Sequence, residues 1–121
     1  MPRRARRESA TGFYHIVSRG LDRENIFGEK REKTRFLNLL QENLKECDVE
    51  VYAYCVMSNH FHLLAKVEKE IMPIFMAKVL GRYAKYYNYK HKRSGVVFQN
   101  RFQSQCIEDA NYFWNCLRYI H

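Results

Sequence analysis

VEVYAYCVMSNHFHLLAKV, residues 49–67, is the stretch whose reading decides the fold. Its first half alternates as a strand should, and Ser58-Asn59 supply turn chemistry. The stretch from His60 to Val67 reads as a second strand, so the whole segment predicts a hairpin. Upstream, GFYHIVS at 12–18 is rich in aromatic and β-branched residues and predicts a strand, followed by a loop that holds Gly20 and Gly28. Phe36, Leu37, Leu40 and Leu44 then recur at three- and four-residue spacing, which predicts an amphipathic helix over 29–47. Downstream, Pro73 suits the first turn of a second helix ending near His91, with Phe75, Val79, Tyr83 and Tyr86 or Tyr87 on its inner side. VVFQNRFQSQCI at 96–107 predicts a fourth strand, straight or bent, and Asp109 the N-cap of a final helix.

The order is β-α-β-β-α-β followed by α, which is the split βαβ or ferredoxin-like arrangement of the α+β class. Four antiparallel strands would carry two helices on one face. The other face would be open unless the C-terminal helix or a second chain covers part of it. At 121 residues the chain is read as one domain, 1–121, with 1–10 a basic flexible arm carrying Arg3, Arg4, Arg6 and Arg7.

Hydrophobic residues at 46% and aromatics at 15% exclude an intrinsically disordered chain. No apolar run approaches the roughly 18 residues of a membrane span, and the basic N-terminus has no apolar stretch behind it to make a secretory signal. The expectation is a cytoplasmic protein that does not engage membranes. Twenty-one Lys and Arg against thirteen Asp and Glu leave a net charge of +8, which favours a polyanionic partner, nucleic acid first. Cys47, Cys55, Cys106 and Cys116 have no C-x-x-C spacing, so they are read as reduced and mostly buried packing residues.

Three features could carry chemistry. In a strand, His60 and His62 share a face while Phe61 takes the other, so both imidazoles could hold one divalent metal. Five histidines in this length give such a pair by chance in about one sequence in five, so spacing alone leaves metal binding and plain packing open. Tyr119 sits beside the apolar stripe of Phe113, Cys116, Leu117 and Ile120, where a ring can lie on the core edge with its hydroxyl at the rim. Arg7 and the rest of the arm, Arg19, Arg23, Arg93 and Arg101 either hold a phosphate backbone or form a solvated basic surface.

GFYHIVSRG, DRENIF, VYAYCVMSNHFHLL, VVFQNRF and YFWNCLRYIH, taken in order, resemble the single-tyrosine HUH transposases. Among these they are most similar to the insertion-sequence and REP-associated tyrosine transposases. The resemblance implies a metal-dependent endonuclease of DNA transposition and recombination. Such an enzyme nicks and rejoins single-stranded DNA with hairpin ends through a 5′-phosphotyrosine. It implies Tyr119 as the nucleophile, His60 and His62 as ligands to Mg2+ or Mn2+, a nucleoid-associated location in a prokaryote, and a possible homodimer. Relatives place an Asn or Gln four residues beyond the tyrosine as a third ligand; this sequence ends at His121, short of that position. The alternative from another class is a non-cleaving module that binds structured single-stranded DNA or RNA.

Overall fold

The computed structural model describes residues 7–99 and 101–120, excepting the side chains of Tyr119 and Ile120. Arg3, Arg4 and Arg6 therefore lie outside the described residues. The strands are β1 (Phe13–Arg19), β2 (Glu50–Val56), β3 (His60–Lys66) and β4 (Gln103–Ile107). The helices are α1 (Lys30–Cys47), α2 (Ile71–Lys90) and α3 (Ala110–Ile120). The strands form one sheet in the order β2-β3-β1-β4, with every pairing antiparallel. This is the ferredoxin-like order expected from the sequence.

Alternation along β1 separates the two faces. Tyr14, Ile16 and Ser18 are buried, while Phe13, His15, Val17 and Arg19 point the other way. On the buried side Phe61, Leu63 and Ala65 of β3 join α1 and α2 in the main core. There the rings of Phe27, Phe36, Phe61 and Tyr83 cluster, with Phe36 and Phe61 centroids 4.7 Å apart. The Tyr83 hydroxyl donates to the Ile26 carbonyl, so its one polar atom is satisfied inside that core.

The start of α1 is locked to the end of α2. Glu29 and Glu32 make a capping box, and Glu32, 1% exposed, also meets His91 Nε2 at 2.6 Å and Lys90 Nζ at 3.4 Å. Asp48, with φ of 53°, ends α1 in the left-handed conformation and turns the chain into β2.

The second face is only partly covered. A bulge in β2 between Val51 and Ala53 resets the alternation, and Ala53 joins Leu64, Ile107 and Cys116 in a small second core. The helix α3 closes over it, with Tyr112, Phe113 and Leu117 packed around. Asp109 caps this helix through Oδ1, which accepts from the Tyr112 backbone N–H at 2.8 Å.

One expectation needs correction. The predicted strand over 96–107 forms as β4 from Gln103, because the described hydrogen bonds of the preceding segment go to the last residue of β1 and the turn after it. Val97 O accepts from Leu21 N, Gln99 N donates to Arg19 O, and among the described residues one isolated bridge forms, Gly20 to Phe98. The loop after β1 is present as expected and is tightly packed. Ile26 and Phe27 are fully buried in it, and a Cβ on Gly20 would come within 2.6 Å of the Glu24 carbonyl oxygen. The cysteines are free as expected, with Cys47 and Cys116 buried and Cys55 and Cys106 half-buried.

Candidate active site

The antiparallel register of β1 and β3 builds the site. Arg19 stands opposite His60, Val17 opposite His62, and His15 opposite Leu64. All of them belong to the face that α3 partly covers. His60 and His62 lie there as predicted, their ring centroids 5.1 Å apart and nearly perpendicular. The sequence reading left out a third histidine. His15 Nε2 is 3.0 Å from His62 Nδ1, with the two rings stacked 5.2 Å apart. A signal for it existed: in FYHIVSR, position 15 shares parity with Val17 and Arg19, the face away from Tyr14 and Ile16.

Each imidazole is held by a polar partner. His60 Nδ1 is 2.7 Å from Asn59 Oδ1, and His15 is hydrogen-bonded by Gln105, which stands opposite it on β4. Asn59 is itself fixed, because its carbonyl accepts from Gly20 N at 2.9 Å. Burial disfavours the charged form of all three rings. It lowers the His62 pKa to about 4, helped by the neighbouring His15 and His60. Burial also lowers His60, with Arg19 adding to the effect, and lowers His15 against the opposing pull of Gln105. The rings are therefore neutral at physiological pH, the state in which imidazole binds metal. Among the described residues no three His, Cys, Asp or Glu side chains stand where they could grip one ion together. As two neutral nitrogen donors on one face, His60 and His62 are of the kind a divalent metal takes, with further ligands to come from elsewhere.

Beside the histidines, Val17, Ser18, Arg19, Gln99, Arg101 and Gln103 line a polar cleft of about 190 Å³. The fold so brings Arg19 and Arg101, far apart in sequence, into one small basic cleft next to His60. Arg23 is exposed in the turn beyond, in the left-handed conformation at φ of 61°. Arg93 is differently placed. Its guanidinium reaches Asn88 Oδ1 at 2.8 Å and the Val96 carbonyl at 3.2 Å, and lies over the Tyr87 ring, tying the chain after α2 to that helix. Arg7 stands beyond the far end of β4, where it meets Glu108 at 3.6 Å. Tyr119 belongs to the last turn of α3, whose body packs on the histidine face; its side chain is outside the described residues.

Two solved structures share this architecture. The REP-associated tyrosine transposase, solved bound to a REP hairpin, superposes with a TM-score of 0.76 at 14% identity, over 99% of this chain and 70% of that one. A structure described as a candidate transposase from Deinococcus radiodurans R1 gives 0.64 at 15% identity, over 99% and 94%. Identities this low speak for the fold alone. No curated protein sequence matches the chain. The family model of the IS200-like transposases matches residues 9–121, and the chain belongs to that family.

Proposed function

We propose that this chain, acting as a single domain, nicks and rejoins single-stranded DNA with hairpin ends through a 5′-phosphotyrosine on Tyr119. One observation carries the reading: the paired imidazoles of His60 and His62 and the helix that bears Tyr119 share one face of the sheet. Family membership supports a role in transposition, and the relative solved with a REP hairpin supports hairpin-bearing DNA as the partner.

His60 and His62 would hold Mg2+ or Mn2+ as neutral donors. Such an ion, when bound, draws charge from a phosphate oxygen and eases attack at phosphorus. Arg19 and Arg101 would seat a phosphate of the strand in their cleft, which fixes the register of the bond to be cut. The Tyr119 oxygen attacks phosphorus, the bond to the 3′ oxygen breaks, and a free 3′-OH forms as that oxygen gains a proton. The phenolic proton leaves to solvent or a nearby base, which is required because a phenol with a pKa near 10 is a weak nucleophile at neutral pH. Rejoining reverses the step, with the 3′-OH attacking the phosphotyrosine and the tyrosine departing.

The test is a covalent adduct. Labelled single-stranded DNA ending in a hairpin is incubated with the protein and Mn2+, then denatured. The expected result is labelled protein that disappears with Tyr119→Phe, with His62→Ala and with chelator, while Tyr119→Phe keeps full affinity. Tight, salt-sensitive binding with no adduct would overturn cleavage by this chain and leave the binding module.

A further inference from the structure

The hydrogen bonds around the two paired histidines have a common sense. His60 meets Asn59 through Nδ1, and His62 meets His15 through Nδ1. A carbonyl oxygen can only accept, so His60 donates from Nδ1–H and carries its lone pair on Nε2. The second chain admits the same tautomer: Gln105 stands opposite His15 on β4 and hydrogen-bonds it, and its amide oxygen can accept an imidazole N–H. A proton on His15 Nδ1 leaves Nε2 to accept from His62 Nδ1–H, which would put the lone pair of His62 on Nε2 as well. The path runs across three adjacent strands, from β4 through β1 to β3.

We infer that His15, backed by Gln105, and Asn59 are positioning residues that set both metal-facing imidazoles in the Nδ1–H tautomer, so that each presents Nε2. The inference rests on the metal reading of His60 and His62 given above, and it assigns a job to three polar residues that reading does not use. Several structural features fit. His15 is not a third ligand, since no three such side chains among the described residues converge on one point. Asn59 cannot drift, since Gly20 N holds its carbonyl and the neighbouring Ser58 carbonyl accepts from Phe27 N at 2.8 Å. Phe27 in turn is fully buried in the main core. Hydrogen bonds to the distal nitrogen of a histidine ligand typically govern affinity by about 10–100-fold, because they fix the ring and its tautomer before metal arrives.

The experiment uses the whole chain with Mn2+ as the probe, and compares wild type with His15→Ala, His15→Gln and Gln105→Leu. Mn2+ affinity is read from the free-ion electron paramagnetic resonance signal, and the His62 tautomer from long-range proton–nitrogen correlation spectra of metal-free protein. The expected result is about 10–100-fold weaker Mn2+ binding in His15→Ala together with a mixed His62 tautomer. His15→Gln, whose amide oxygen can accept from Nδ1–H, should recover most of both. Should His15→Ala unfold, Gln105→Leu leaves the histidine pair intact and is expected to shift the same signals less. An unchanged His62 tautomer in every variant would overturn the inference. Wild-type protein that takes up no Mn2+ yet loses the Nδ1–H tautomer in His15→Ala would sink the metal reading and leave the orienting contact standing.

Discussion

Phe61 and His62 are neighbours in sequence and face opposite ways. On the Phe61 side, Phe27, Phe36, Tyr83 and the inner faces of α1 and α2 leave no ring exposed. On the His62 side, three half-buried imidazoles, two arginines and three glutamines line the sheet and its cleft, and the described side chains of α3 pack at the Leu64 end. Burying apolar area stabilises, whereas half-desolvating an imidazole costs unless each nitrogen finds a partner. One sheet therefore divides its labour, with stability on the helix-bearing face and polar chemistry on the other.

The sharpest way to break that comparison is to truncate the two neighbours separately. Phe61→Ala should cost about 3–5 kcal/mol of unfolding free energy, since the ring cluster cannot collapse around the gap. His62→Ala should change stability by about 1 kcal/mol or less while removing the metal-dependent adduct. Urea unfolding of both variants checks this, and equal losses would refute a division between the faces.

A smaller effect concerns the helix that spans the divide. Among the described residues the core beneath α3 holds four buried ones, Ala53, Leu64, Ile107 and Cys116, against some twenty on the other face. The helix should then open locally before the sheet does. Amides of residues 114–118 should exchange at least tenfold faster than those of 40–44 under native conditions. Exchange of both segments at one common rate would show a single cooperative unit and erase the distinction.

How far the sequence could be read follows the same division. The hairpin over 49–67, both long helices and their inner faces were legible because burial on one side imposes periods near two and near three and a half, although the bulge between Val51 and Ala53 interrupts the first. Asp109 was legible because capping is local chemistry. The segment over 96–102 was misread because its β-branched and aromatic residues fit a strand, while the choice between ladder and turn was made by backbone partners in another part of the chain. His15 was missed for a related reason. Its meaning depends on the register that sets it diagonally from His62, and no local pattern encodes a register between β1 and β3. The basic arginines read as one scatter, but the fold sorts them, joining Arg19 with Arg101 and assigning Arg93 to the packing of α2.

Acid should act on the polar face. Unfolded, each imidazole takes up a proton near pH 6.5. Folded, burial holds His15, His60 and His62 below that value, His62 at about 4. Between those limits the unfolded chain binds more protons, so stability falls as pH drops from about 6.5 toward 4. Thermal unfolding of metal-free protein should show the decline, and His62→Leu should flatten it. Parallel curves for the two proteins would mean that the histidine face does not set the acid response.

The smallest effect expected is on binding strength, and it separates the arginines by place instead of by charge. Arg19 and Arg101 share the cleft beside His60, whereas Arg93 is engaged by Asn88, the Val96 carbonyl and the Tyr87 ring. A cation that contacts a phosphate releases a counterion, and each such contact on a single strand contributes about 0.7 to the slope of log affinity against log salt. Replacing both Arg19 and Arg101 by glutamine should therefore lower that slope by about 1.4 on hairpin-bearing DNA. Arg93→Gln should leave the slope unchanged and cost thermal stability, because its guanidinium is committed within the fold. A slope that falls equally for all three would make the surface a diffuse positive field, and the cleft would then have no special claim on the strand.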